Sequence, residues 1–254
     1  MIELKSPSQI DGMRAAGKVV REVLETVRAA AAPGVSTLEL DEVARDVLRR
    51  NGAISPFLDY QPAPSMPPFA GVICVSVNDA VLHGVPGKER LADGDLLSID
   101  AGATLGGWTG DAAISLSVGE PDPADTALIA LAQQALAAGI AAAVVGNKVG
   151  DISAAIGHVV RSGGCRINTD YGGHGVGRTM HEAPSIPNDG RPARGFPLKP
   201  GLTIAIEPWF FAGGGKAYRT DRDGWTLRSV DGSRGVHVEQ TVAITPDGPV
   251  VLTA

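Results

Sequence analysis

Carboxylates recur in this chain inside segments that otherwise read as buried strand. Asp100 follows Leu96-Leu97-Ser98-Ile99, and Asp111 opens Ala112-Ala113-Ile114-Ser115-Leu116. Glu207 follows Thr203-Ile204-Ala205-Ile206, and Glu239 lies within Val236-His237-Val238-Glu239-Gln240-Thr241-Val242. An ionised carboxylate taken out of water is very costly unless it is paired, hydrogen-bonded or bound to a cation. His174, in the glycine-rich run Tyr171-Gly172-Gly173-His174-Gly175-Val176-Gly177, adds an imidazole where glycines let backbone approach closely. Four carboxylates and one imidazole suit hard to borderline divalent ions of the manganese, iron, cobalt or zinc kind. The excess of acids implies a pair of ions. Two metals held ~3.5–4 Å apart by bridging carboxylates can share one water, lower its pKa and polarise a scissile carbonyl.

Taken singly, each residue has a blander reading. A lone strand carboxylate such as Asp111 is more often an edge residue or an ion-pair partner. His174, His83 and His181 alone could be ordinary loop histidines. Cys74 sits in an apolar strand with nothing cationic beside it in sequence, which fits plain core. The glycines around 172–177 are weak evidence for a nucleotide, because no apolar strand clearly precedes them and no clear helix follows. The set outweighs its members through an internal echo. Leu91-Ala92-Asp93-Gly94-x4-Ile99-Asp100 matches Leu198-Lys199-Pro200-Gly201-x4-Ile206-Glu207 position for position. A His-x-x-Pro precedes each, at His83-Gly84-Val85-Pro86 and at His181-Glu182-Ala183-Pro184. An internal duplication is the simplest reading, and it puts two acid-bearing strands around a pseudo-twofold axis with one shared site.

The elements that must position these residues follow from caps and breakers. A helix is expected from about Pro7, capped by Ser6, with Ile10, Met13, Val20, Leu24 and Val27 on one stripe and a stop at Pro33-Gly34. A second follows the capping box Ser36-x-x-Glu39 and ends at Asn51-Gly52. Residues 55–71 read as an exposed proline-rich loop presenting Phe57, Tyr60 and Phe69. Strand is expected at Val72–Val77, then a hairpin of Leu96–Gly102 with Trp108–Val118 around Gly106-Gly107 that brings both aspartates to one face. Asp122-Pro123 opens the second half, with helices over Pro123 to about Val145 and Asp151 to about Arg161. Strands are expected at Thr203–Phe211, Trp225–Val230, Val236–Ile244 and Val250–Thr253.

At 254 residues and 44% hydrophobic content the chain can bury the core of an enzyme. With 28 acidic against 22 basic residues, a net charge of −6 argues against nucleic acid or an anionic membrane as the main partner. Two cysteines, Cys74 and Cys165, lack a CxxC spacing and suit a reducing cytoplasm. The start lacks a signal-peptide pattern, and the apolar stretch 127–145 is interrupted by glutamines and glycine, so no spanning segment is expected.

The residues His83-Gly-Val-Pro, Ser98-Ile-Asp-Ala-Gly, Trp108-Thr-Gly-Asp111, Gly173-His-Gly-Val-Gly, Met180-His-Glu-x-Pro, Ile206-Glu-Pro and Val238-Glu-Gln-Thr, in that order, resemble the type I methionine aminopeptidases over essentially the whole chain. The resemblance implies an α+β pita-bread fold, with an antiparallel curved sheet covered by helices. It implies one catalytic domain over 1–254, in pseudo-symmetric halves of about 1–120 and 121–254. It implies Asp100, Asp111, His174, Glu207 and Glu239 as ligands of two divalent ions (cobalt, manganese, iron, zinc or nickel), and His83, His181 and Glu207 as catalytic residues. Tyr60, Cys74, Met180 and Trp225, with the two histidines, would then line the substrate pocket. The implied activity is removal of the N-terminal methionine from newly made proteins, preferentially before a small second residue. The implied setting is a cytoplasmic monomer acting on peptide and nascent-chain N-termini, with transient ribosome contact. Rival readings are an Xaa-Pro aminopeptidase of the same fold and a pita-bread binding module without catalysis. Two departures stand out: residues 61–71 are longer and richer in proline than the family's usual segment, and Gln240 replaces the family's histidine after the last ligand.

Overall fold

The computed structural model describes residues 2–213 and 215–254. Its first half runs α1 (Pro7–Ala30), α2 (Thr37–Arg50), β1 (Ile73–Val77), β2 (Ala80–Leu82), β3 (Leu96–Leu105) and β4 (Trp108–Ser117). Both helices begin as the sequence dictates. Ser6 and Gln9 cap each other reciprocally, as do Ser36 and Glu39, an arrangement that satisfies two otherwise orphaned amides. Buried Asp41 on α2 takes the Arg45 Nε at 2.7 Å and accepts from the Val72 amide at 2.6 Å, which ties the start of β1 to the helix. Gly106 and Gly107, at φ 58° and 79°, form the two-residue turn of the β3–β4 hairpin, where both residues must adopt positive φ. The register pairs Asp100 with Ala113 and Gly102 with Asp111. The two aspartates therefore lie diagonally on one face, as the hairpin required.

The second half runs α3 (Pro123–Ala142), α4 (Val149–Ser162), β5 (Gly172–Gly175), β6 (Glu182–Pro187), β7 (Thr203–Ile206), β8 (Trp209–Phe211), β9 (Tyr218–Thr220), β10 (Leu227–Ser229), β11 (Gly235–His237), β12 (Gln240–Thr245) and β13 (Gly248–Val251). Asp122 caps α3 and Pro123 occupies its first turn. By length and composition α3 could cross a membrane, but Leu128, Ala132, Ala135 and Leu136 are buried in the core of the second half. Each half is thus a helix pair over antiparallel strands, β1-β3-β4 in the first and β13-β12-β7-β5-β6 in the second. Each half also has its own apolar core.

Several expected strands differ in detail. Thr203–Phe211 is two strands separated by Glu207-Pro208, because proline has no N–H to continue a ladder. Val236–Ile244 is likewise broken at Val238-Glu239, and Trp225–Val230 shrinks to Leu227–Ser229. The strands β2, β5, β6 and β9 carry glycine, proline or too few residues to announce themselves. The halves meet where β4 reaches the start of β12. Ala113 and Glu239 exchange backbone hydrogen bonds, and the Thr241 hydroxyl accepts from the Asp111 amide at 2.9 Å while donating to the Asp111 carbonyl at 2.8 Å.

Candidate metal centre

The strand breaks are what bring the acids together. Glu207 lies just past the end of β7 and Glu239 just before β12 begins, both at the seam where the second-half strands face β3 and β4. Glycines on either side of His174 are obligatory for the same reason. A Cβ on Gly173 would stand 2.2 Å from the Ala205 carbonyl oxygen, and one on Gly175 would stand 2.3 Å from that of Ala183. The backbone of β5 is therefore pressed between its neighbours, and the imidazole is the group it projects. The Nδ1 of His174 lies 2.9 Å from the Gly175 carbonyl, an acceptor that makes Nδ1 the protonated nitrogen. Its Nε2 lone pair then faces Asp111 Oδ2 at 3.9 Å and Glu207 Oε1 at 3.5 Å.

Asp111, His174 and Glu239 each offer a ligand atom within 4.8 Å of the others. Asp100 Oδ1, Asp111 Oδ1 and Glu239 Oε1 are buried with no hydrogen-bond donor. Unpartnered acceptors on crowded acids are the complement of a divalent cation. The electrostatics agree. Burial, opposed by His237 and reinforced by Glu207, lifts Asp100 to about 7. Burial and the neighbouring acids hold Asp111 and Glu239 well above the ordinary carboxylate range. Burial also pushes Glu207 up, but the facing imidazoles of His237, His174 and His83 outweigh it and leave the carboxyl below its ordinary value.

The two flanking histidines reach the centre from opposite halves. His83, at φ 56°, follows β2, and its ring stands edge-on to Tyr171 at 5.3 Å. The His181 ring centroid is 4.4 Å from that of His174, and its Nδ1 is 3.0 Å from the Tyr60 hydroxyl. Burial lowers both to about 4, although Glu207 pulls each upward. Next to them Phe57, Phe69, Cys74, Met180 and Trp225 form a small apolar cluster, with Tyr60 packed against it. Cluster, acids and histidines line one cleft.

All the residues singled out in the sequence thus converge: Asp100, Asp111, His174, Glu207, Glu239, His83, His181, Tyr60, Cys74, Met180 and Trp225 line that single cleft. Phe57 and Phe69 join them, though the sequence offered them only as aromatics of an exposed loop; both are in fact buried. His237 was missed. It is buried beside Glu207 and Glu239, and its spacing two residues before Glu239 in a strand is the signal that could have found it. Gln240 turns away from the centre, its side-chain oxygen accepting from the Thr253 hydroxyl.

Comparison with known proteins agrees with this geometry. Methionine aminopeptidase 1 of Mycobacterium tuberculosis is 47% identical over 260 residues, covering 100% of this chain and 95% of that protein. The crystal structure of methionine aminopeptidase from Thermotoga maritima superposes with a TM-score of 0.94 at 38% identity, covering 100% of this chain and 99% of that one. Likeness of fold alone extends to prolidase from Pyrococcus furiosus, with a TM-score of 0.79 at 23% identity over 99% of this chain and 65% of that one. The pita-bread architecture expected from the sequence is the architecture found. The model of metallopeptidase family M24 matches residues 11–246, a span that contains every acid and histidine of the cleft, and the chain belongs to that family.

Proposed function

We propose that the chain removes the N-terminal methionine from peptides and newly made proteins, with Asp100, Asp111, His174, Glu207 and Glu239 holding two divalent ions. The observation that carries this reading is the joining of a sulfur- and aromatic-lined pocket to an acid–imidazole centre within one cleft. An unbranched thioether suits such a pocket, since sulfur makes favourable contacts with aromatic rings. When bound, the ions supply Lewis acidity toward the scissile carbonyl and a water acidic enough to lose a proton near neutral pH.

The chain's own groups do the rest. Held below its ordinary range, Glu207 is ionised at neutral pH and can take the proton of the attacking water. That proton goes to the departing amine as the C–N bond breaks and the hydroxyl remains on the carbonyl carbon. With pKa values of about 4, His83 and His181 are neutral there. A Tyr60 hydroxyl donating to His181 Nδ1 leaves the proton of that ring on Nε2, toward the acids. Each neutral N–H then serves as a donor to the oxygen on which charge develops, a role in which losing one donor costs ~10²–10³ in rate. Preference for a small second residue belongs to the proposal and rests on the resemblance. So does action as a cytoplasmic monomer on nascent chains near the ribosome, a setting that two free, buried cysteines suit.

The test is cleavage of Met-Ala-Ser after chelation and add-back of manganese, iron, cobalt, zinc or nickel, with Ala-Pro peptides as the competing substrate. Activity is expected to vanish with chelator and return with metal. Asp111→Asn is expected to lose more than about a hundredfold in kcat/KM, the size of loss typical when a key charge-stabilising group is removed. Inactivity with every metal, full activity of Asp111→Asn, or preference for Ala-Pro would each overturn the reading.

A further inference from the structure

We infer that His237 is a positioning residue of the metal centre: its Nε2–H fastens the carboxylates of Glu207 and Glu239, and so sets how tightly the centre holds its ions. The inference rests on the proposed ligand set. The residue is 2% exposed. Its Nε2 has no hydrogen-bond partner, and it lies between Glu207 Oε2 at 3.7 Å and Glu239 Oε2 at 3.9 Å. A buried ring nitrogen left unpaired is unfavourable, and the groups facing this one are two carboxylates, which only accept, so the proton belongs on Nε2. Closing either gap to a normal charge-assisted contact of ~2.8 Å takes a movement of about 1 Å.

The backbone beneath the ring is fixed more firmly than a packing residue requires. The Ser115 hydroxyl accepts from the His237 amide at 3.1 Å and donates to the His237 carbonyl at 2.8 Å. The Ser98 hydroxyl, 2.8 Å away, completes the chain. Ser98 and Ser115 belong to β3 and β4, so the first half holds in place a residue of the second. Val236 and Val238, on either side, belong to the core of the second half. Strand alternation therefore sends the His237 ring the other way, to the side of Glu239 two positions on. Groups that hydrogen-bond a metal's ligands orient those ligands, and their loss typically costs 10–100-fold in metal affinity.

The donor at issue is Nε2, whose place a glutamine amide nitrogen can take, whereas the shorter asparagine reaches only the position of Nδ1. Titration calorimetry of Mn²⁺ into chelator-stripped protein is therefore expected to show a 10–100-fold weaker Kd for His237→Ala and His237→Asn, and a Kd within about threefold of wild type for His237→Gln. Equal affinity in His237→Asn and wild type overturns the proposal. So does His237→Gln falling as far as His237→Asn, which would assign the residue to packing or to direct ligation. Should His237→Ala fail to fold, the Gln–Asn pair decides alone. Failure of the methionine reading looks different, because Mn²⁺ binding would persist in the wild type without cleavage of Met-Ala-Ser.

Discussion

Asp100 and the flanking histidines pull the stability of the ion-free protein in opposite directions with pH, and the sign can be worked out. Asp100 stands at about 7 when folded against an ordinary value of 3.8. The folded state therefore holds the extra proton, and the stability this gives is lost as pH rises through about 7. Asp111 and Glu239, also raised by burial and by their acidic neighbours, act in the same sense. His83 and His181 fall from 6.5 to about 4, so their contribution is complete well above 6.5 and lost as pH drops toward 4. Between 4 and 6.5 the two sets oppose each other. From 6.5 upward the last of the histidine gain offsets the remaining loss at Asp100, so Asp111 and Glu239 decide the slope. Chelated protein should therefore lose stability between pH 6.5 and 8.5, read as a fall in Tm. Saturating Mn²⁺ should flatten or reverse the trend, since the ions compete with the protons. Thermal unfolding by circular dichroism in EDTA and in Mn²⁺ measures both; a Tm that stays level or rises with pH in EDTA would contradict this account of the acids.

For the elements, β5 is the most constrained. Its Gly173 has no room for a Cβ, the nearest atom being the Ala205 carbonyl oxygen at 2.2 Å, and Ala205 belongs to β7, the strand that delivers Glu207. Gly173→Ala must therefore push β5 away from β7, carrying His174 from Glu207. A destabilisation of about 1–3 kcal/mol is expected from such overpacking, together with weaker Mn²⁺ binding. Gly87→Ala, where the nearest atom would be 3.9 Å away, is the control and should stay within about 0.5 kcal/mol of wild type. Equal behaviour of the two variants by urea titration would show that the close approach does not position His174. This element also marks the limit of what the sequence could tell. The helices were legible because Ser6, Ser36 and Asp122 are caps whose chemistry is local. The β3–β4 hairpin was legible because Gly106-Gly107 fixes a turn and, with it, a register. Gly172–Gly175 has no strand propensity of its own and becomes a strand only because its neighbours press on both sides. The breaks at Glu207-Pro208 and Glu239 were obscured by apolar runs that read as continuous, although Pro208 carried the warning. The proposed ligands were legible as misplaced charges. His237 was not, because one histidine among valines looks like core until its carboxylate neighbours are in place.

The whole molecule distributes the proposed ligands so that neither half is complete. Asp100 and Asp111 come from β3 and β4, while His174, Glu207 and Glu239 come from around β5, β7 and β12. The two cores are separate, an arrangement that by itself would permit each half to unfold independently. What opposes this is the seam: the Ala113–Glu239 backbone pair, the two bonds of Thr241 to the Asp111 backbone, and the Ser115 clamp on His237. Ions held by the proposed ligands of both halves would add a further link, stabilising by about 2.7 kcal/mol at a hundred times Kd if they bind only the intact seam. We therefore propose that residues 1–254 unfold as one cooperative unit, with no independent step near residue 120. Hydrogen exchange of Mn²⁺-loaded protein across a urea series checks this. The amides of Ile99 and Ile114 in the first half, and of Ile204 and Val242 in the second, should exchange through openings of the same free energy and the same urea dependence. Chelation should lower all four together. If the first-half amides open at lower urea than the second-half ones while the latter remain protected, the halves are separate domains, and the metal centre is an interface between them instead of the middle of one structure.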